Sequence, residues 1–112
     1  MIYILRDKPT SGQIAEMLKE YETMIKIVAD IRRRILAGGG EMHSDCESVL
    51  LDDGSEQADL WGANWYPAEQ EIVFESLINI RPRFGNRSIL IQSEELRQQI
   101  ESVTLEILGG VQ

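Results

Sequence analysis

The chain has 112 residues, 43% of them hydrophobic, and a formal net charge of −8. This length is close to the commonest domain size, so we expect residues 1–112 to form a single domain around one hydrophobic core. Surfaces that bind nucleic acid without sequence preference carry a basic excess, so the acidic balance argues against nucleic acid as a partner.

The N-terminal segment and the cysteine content favour a cytoplasmic protein. The apolar run Met1 to Leu5 is interrupted by Arg6 and Asp7, unlike the long apolar region of a signal peptide. No apolar run approaches the roughly 20 residues that span a bilayer, so no membrane partner is expected. Cys46 is the only cysteine, which excludes an intrachain disulfide and fits a reducing compartment.

The first third of the chain predicts a strand, a helix and a second strand. The apolar run Ile2 to Leu5 is typical of a short strand. Thr10 and Gln13 match a capping box, and apolar residues then recur at helical spacing to about Ile25. Residues 26–36 are rich in β-branched side chains and favour a strand, with a continuation of the first helix as the alternative.

The middle of the chain is interpreted as three strands. The glycines at 38–40 must interrupt regular structure. Residues 41–51 end near an Asp-Gly pair and are interpreted as a strand, with a short helix from Asp45 as the rival. Residues 60–66 precede a proline and residues 71–80 alternate apolar with polar side chains, which predicts two more strands.

A last helix is predicted from Ser93, because a serine can cap it and Glu94 and Glu95 occupy the first turn, where the helix dipole favours acids. Gly109 and Gly110 mark its end. The expected fold class is therefore α+β, with an antiparallel β-meander of about four to five strands packed against an N-terminal and a C-terminal helix.

Four phrases give the chain a recognisable order: GGEMHSDCE at 39–47, DDGS at 52–55, LWGANWYP at 60–67 and ESLINIRPRFGNRS at 75–88. With these phrases the chain resembles a family of small prokaryotic single-domain proteins of unknown function. The resemblance implies one domain and brings no activity with it. Cys46 stands where we expect a small residue such as alanine in the family, so the resemblance gives its thiol no general catalytic role.

Candidate catalytic side chains are His43, Asp45 and Glu47, which would share one face if this segment were a strand. An imidazole beside two carboxylates suits acid–base chemistry, or a metal ion such as zinc, manganese or iron. The spacing matches no strong metal signature, and a solvated strand face or a helix start capped by Asp45 would explain the same residues. No metal or other cofactor is therefore predicted.

A small anionic ligand is suggested by the segment between Ser76 and Ser93, which carries three arginines and no acid. Guanidinium groups hold carboxylates and phosphates bidentately, although these arginines could instead pair with the chain's own acids. The candidate ligand-binding residues are Asn64, Glu75, Asn79, Arg81, Asn86 and Arg87. The basic triplet 32–34 is too short to indicate nucleic acid and is interpreted as a solvated turn or strand surface.

Two functions stay open at this point. One is a non-catalytic interaction module that forms a homodimer through Trp61, Trp65 and the first helix, although core packing would explain the two rings equally well. The other is a small-ligand domain or an enzyme, whose site joins His43 and the carboxylates near it to the arginine-rich segment. Convergence of His43 and Arg87 on one pocket would favour the second function.

Overall fold

The computed structural model describes all 112 residues and contains five strands and three α-helices. The strands β1 to β5 span Tyr3–Leu5, Ile25–Asp30, Ile35–Gly38, Leu60–Tyr66 and Glu71–Val73. The helices α1 to α3 span Ser11–Met17, His43–Asp52 and Glu94–Leu108. Short 3₁₀ turns lie at Gln57–Asp59, Leu77–Asn79 and Pro82–Phe84. The predicted α+β class, with helices near both ends of the chain, is confirmed.

The strands form one antiparallel sheet in the order β1-β3-β2-β4-β5. Side chains alternate between its two faces, as the pleat requires. Ile25, Ile27 and Ala29 of β2 pack with α1 and α3, whereas Val28 packs on the opposite face with α2. The sheet is therefore covered by helices on both sides, and no helix is long and apolar enough to cross a bilayer.

Trp61 and Trp65 lie on the α1–α3 face of β4 and are 3% and 0% exposed. Their rings belong to the larger hydrophobic cluster, together with Ile14 and Ile100 from the two covering helices. The suggestion that these rings contact a second copy of the chain is wrong, because both are buried inside the fold. The alternative of core packing is confirmed.

Helix α1 begins as predicted, since Gln13 donates its backbone N–H to the Thr10 hydroxyl and its side chain accepts the Thr10 N–H at 2.9 Å. It ends at Met17, well before the predicted end at Ile25. Glu22 has a φ of 62°, a conformation that ordinary residues rarely adopt in a helix, and the chain turns there into β2. The alternative of one long helix is therefore wrong.

The single strand predicted over residues 26–36 is a hairpin of two strands, β2 and β3. Its turn depends on Asp30, whose carboxylate accepts the backbone N–H groups of Arg32 and Arg33 at 3.0 and 2.9 Å. Arg34 completes the turn with a φ of 55°. A buried aspartate that holds successive backbone amides stabilises a reversal of the chain, and this signal overrides the strand preference of the flanking residues.

Residues 43–52 are helical, so the strand interpretation of residues 41–51 is wrong and the rival short helix from Asp45 is closer to the structure. The Asp45 carboxylate accepts the backbone N–H of Met42 at 3.2 Å, which stabilises the first turn of α2. Cys46 and Leu50, one helical turn apart, are both fully buried against the sheet. Their burial fixes the orientation of α2.

The strand predicted over residues 71–80 ends at Val73. Ser76 accepts the backbone N–H of Ile78 at 3.3 Å and starts the 3₁₀ turn Leu77–Asn79 instead. The C-terminal helix follows its prediction, because the Ser93 hydroxyl accepts the backbone N–H of Leu96 at 3.2 Å. In these two segments the capping serine predicted the structure correctly, whereas the alternation of apolar and polar residues did not.

Candidate functional site

A cavity of about 330 Å³ opens on the α2 face of the sheet, beside the first turn of α2. It is lined by Lys26, Met42, His43, Ser44, Asn64, Glu75, Ser76, Leu77, Ile78 and Ile89. This volume lies at the low end of the range for small-molecule sites. The cavity brings together three of the side chains that the sequence singled out, His43, Asn64 and Glu75.

The floor of the cavity is built by strand register. Lys26 of β2 and Asn64 of β4 are paired residues, so their side chains stand next to each other on the α2 face. A Cβ atom at Gly62, two residues earlier on the same face, would lie 2.6 Å from the Cβ of Ser76 and 3.2 Å from the ring of His43. The absence of a side chain at Gly62 therefore lets Ser76 and His43 pack directly on β4.

His43 occupies the first turn of α2 and is 8% exposed. Its Nε2 atom lies 2.8 Å from the backbone oxygen of Ala63. A carbonyl oxygen can only accept, so Nε2 carries the hydrogen and the neutral ring keeps Nδ1 as an acceptor. Burial lowers the pKa of His43 and the charge of Lys26 lowers it further, against the hydrogen bond to Ala63 and the nearby side chain of Asn64. The ring is therefore neutral at pH 7.

Lys26 is the cation of the cavity and takes part in none of the six ion pairs of the chain. Its ammonium group lies 4.9 Å from the centre of the Tyr21 ring. The first turn of α2 adds the positive end of a helix dipole to the same place. Lys26 thus brings to the cavity a positive charge that no ion pair neutralises, in a chain whose net charge is −8.

Two hydrogen-bond acceptors of the lining, on Asn64 and Glu75, have no partner in the protein. The Oδ1 atom of Asn64 is buried and has no hydrogen-bond partner, which is uncommon for a buried polar atom. The carboxylate of Glu75 forms no ion pair, and its side chain is exposed at the wall of the cavity. Donor and acceptor capacity is therefore left unused around one small space.

Arg81 lies in a neighbouring depression of about 320 Å³, which shares Leu77 and Ile78 with the cavity. Its guanidinium forms an ion pair with Glu47 and donates to the backbone oxygens of Gln57, at 2.8 Å, and Leu60. Both charged side chains of this pair are largely buried. The donors of Arg81 are thus engaged by the protein itself.

Asn79 and Asn86 are buried and bind backbone. The Asn79 amide bonds to Gly62 on β4, and the Asn86 amide donates to the oxygens of Asn79 and Ser88 at 2.9 and 2.8 Å. Arg87 is exposed and lines neither depression. Of the predicted ligand-binding residues, only Asn64 and Glu75 therefore reach the cavity of His43.

His43, Asp45 and Glu47 do not share one face, since residues two apart on a helix point in nearly opposite directions. Asp45 caps α2, and Glu47 pairs with Arg81. No group of three His, Cys, Asp or Glu side chains is arranged to hold a metal ion. His43 therefore lines the cavity, and neither of these two carboxylates does.

The basic triplet forms the turn between β2 and β3. Arg32, Arg33 and Arg34 pair with Asp59, Asp53 and Glu106, respectively. The interpretation as a turn is confirmed, and its charges are neutralised by the protein's own acids.

Sequence reasoning missed Lys26, Ser44 and Ser76 as members of the site. Their neighbours in space lie far along the chain, so only strand pairing and the position of α2 reveal them. One signal was present in the sequence. Lys26 lies between Ile25 and Ile27, a pattern typical of a strand that buries its isoleucines on one face and carries the lysine on the other.

Residues 3–107 match the model of a protein family that is described as "Protein of unknown function (DUF5674)". No curated protein and no solved structure matches the chain.

Proposed function

We propose that this chain, which belongs to the DUF5674 family, is a binding domain for a small molecule with a negatively charged group. The charged group would lie against Lys26 and the first turn of α2. The observation that carries the proposal is that Lys26 faces a cavity without a carboxylate partner, although the chain has 19 acidic residues.

Six of the other basic residues have an acidic partner, and the four that have none, Lys8, Arg83, Arg87 and Arg97, lie outside this cavity. Arg6, Arg33 and Arg81 each have an acidic partner within 4 Å. Lys26 is half-buried and has none, so an anion that enters the cavity gains a charge-assisted hydrogen bond of about 1.5–3 kcal/mol without displacing an existing ion pair. The neutral ring of His43 adds a hydrogen-bonding group and no charge.

Binding is favoured over catalysis by the surroundings of the nucleophilic side chains. Burial raises the pKa of the Cys46 thiol to about 11, and this thiol lies under α2. The Ser76 hydroxyl accepts the backbone N–H of Ile78, and no hydrogen bond joins it to His43. Activated nucleophiles have a base within hydrogen-bond reach, and this cavity has no such pair.

Titration of ¹⁵N-labelled protein with acetate, succinate and inorganic phosphate tests the proposal. We expect at least one of these anions to shift the amide signals of residues 26, 43, 44 and 64. Lys26→Gln should weaken binding about tenfold, which corresponds to about 1.4 kcal/mol. Lys19→Gln, a change of an exposed lysine on the α1 side, is the matched control and should bind like wild type. Equal binding by Lys26→Gln would contradict the proposal.

A homodimer is the second candidate function, and an exposed apolar strip favours it. Leu77, Ile80 and Phe84 are 72%, 46% and 47% exposed next to Arg83, which has no acidic partner. A second copy of this acidic chain would supply both apolar surface and carboxylates for that strip. Light scattering should then give a dimer that Phe84→Asp dissociates and Leu105→Asp, at an exposed leucine of α3, does not. A wild-type monomer at high micromolar concentration would exclude it.

A further inference from the structure

The cavity holds an acid as well as a base. Glu75 and Lys26 both line it, yet the two side chains form no ion pair with each other or with any other residue. The Glu75 side chain forms no hydrogen bond either, and its backbone is held in place by the bridge to Leu90. Two opposite charges that face one small space and do not neutralise each other suit a ligand that carries both charges.

The acceptors are concentrated around the same space. Asn64 Oδ1 is buried without a partner, His43 keeps a free Nδ1 when its ring is neutral, and Glu75 supplies a carboxylate. An ammonium group has three N–H donors and accepts nothing, so it uses acceptors that a simple anion leaves empty. Lys26 and the amides of the first turn of α2 are the matching donors for a carboxylate.

Most of the remaining wall is apolar, and Ser44 and Ser76 are its polar members. Met42, Leu77, Ile78 and Ile89 are the four hydrophobic lining residues. About 330 Å³ leaves room for a short aliphatic side chain beside a charged head group. A short aliphatic side chain fits this part of the lining.

From these observations we propose that the ligand is a zwitterion, an α-amino acid with a short aliphatic side chain, held by Lys26 at its carboxylate and by Glu75 and Asn64 at its ammonium group. This inference rests on the proposed function, because it takes the contact of Lys26 with an anion as given. It adds the acidic half of the site and the apolar wall, which selects the side chain.

Calorimetric titration of the full chain with three related compounds tests the inference. L-leucine carries both charges, 4-methylpentanoate lacks the ammonium group, and 3-methylbutylamine lacks the carboxylate. We expect leucine to bind about tenfold or more tightly than either analogue, because each analogue leaves one charged side chain unpaired. Glu75→Gln should weaken leucine binding and leave 4-methylpentanoate unchanged. Glu71→Gln, at an exposed acid of β5 that does not line the cavity, should change neither.

The outcomes separate the two proposals. Equal binding of leucine and 4-methylpentanoate would overturn the zwitterion and leave the anion site intact. Binding of leucine that Lys26→Gln does not weaken would overturn both. Absence of binding by leucine and both analogues would overturn the zwitterion, and the acetate, succinate and phosphate titrations would then decide the anion site alone. The spectra of each variant show whether it has kept its fold.

Discussion

The side-chain amide of Asn79 forms two hydrogen bonds with the backbone of Gly62, each 2.9 Å long, one to the N–H and one to the carbonyl oxygen. Gly62 lies on β4 just beyond the last residue that pairs with β5. The amide therefore takes the place of a neighbouring strand and holds the 3₁₀ turn Leu77–Asn79 over the sheet. The wall of the cavity that contains Ser76 and Leu77 depends on this connection.

Replacement of Asn79 by alanine should destabilise the protein by about 2–4 kcal/mol, because it removes three hydrogen bonds, two with Gly62 and one with the backbone oxygen of Ile89, and leaves two buried backbone groups of Gly62 without partners. Urea unfolding followed by tryptophan fluorescence measures the change. Asn64→Ala is the matched control, since the Oδ1 atom of Asn64 has no partner to lose. A cost at Asn79 no greater than the cost at Asn64 would contradict the role of the amide.

Replacement of Gly62 by alanine should destabilise the protein by about 1–3 kcal/mol, because the new Cβ would overlap the Cβ and Oγ atoms of Ser76 at 2.6 Å. In the double variant Gly62→Ala, Ser76→Gly, these two atoms are absent. The double variant should therefore be more stable than the sum of the single changes predicts. Additive free energies of unfolding would show that Ser76 is not the obstacle.

The Arg81–Glu47 pair should be worth far more to stability than the ion pairs at the surface. Both of its side chains are largely buried, so Arg81→Met leaves an unpaired carboxylate and should cost about 3–5 kcal/mol. Arg32→Met breaks an exposed pair with Asp59 and should change the free energy of unfolding very little. Comparable unfolding free energies for the two variants would contradict this ranking.

Local signals in the sequence were sufficient to predict where two helices begin. Thr10 with Gln13, and Ser93 with two glutamates after it, are complete within one turn of chain, so no tertiary information is needed to interpret them. The strand β4 was equally clear, because its aromatic residues are followed directly by Pro67.

Long-range contacts decided the elements that were predicted wrongly. Residues 41–51 have a mixed pattern, and the helix is fixed by the burial of Cys46 and Leu50 on the sheet. Residues 74–80 alternate like a strand, yet Asn79 turns inward to bind Gly62. Neither partner can be identified from the segment alone, because each lies on another element.

The candidate site was predictable only in part for the same reason. His43, Asn64 and Glu75 belong to phrases that stood out in the sequence, and they line one cavity. Lys26 belongs to the site because it is paired with Asn64, and only the pairing of β2 with β4 reveals this. Arg81 was chosen for its charge as a ligand-binding residue, but that charge is neutralised by Glu47, which had been chosen as a catalytic candidate.

The Cys46 thiol should react with a disulfide reagent only when the protein unfolds. It is fully buried, and burial raises its pKa to about 11, so at pH 8 only about one molecule in a thousand carries the thiolate. The reaction of native protein with Ellman's reagent should be slow, and its rate should follow the unfolding equilibrium when urea is added. A fast stoichiometric reaction of the native protein would place this thiol at the surface.

His43 should titrate below its ordinary pKa of 6.5, since burial and the charge of Lys26 both favour the neutral ring. The unfolded chain then binds a proton more readily than the folded chain does. This contribution to stability is present above pH 6.5 and is lost as the pH falls toward the folded pKa, by at most about 1.4 kcal/mol per pH unit. His43 is the only histidine, so its proton NMR signal gives the pKa directly.

Lys26→Gln should raise the midpoint of this titration, because it removes the positive charge that disfavours the imidazolium. Lys19→Gln, at an exposed lysine just after α1, should leave the midpoint unchanged. His43→Asn should remove the histidine contribution to the loss of stability between pH 7 and 5, while the carboxylates, common to both proteins, continue to contribute. A His43 midpoint at or above 6.5, or one that does not respond to Lys26→Gln, would show that the imidazole and the ammonium group do not share the cavity.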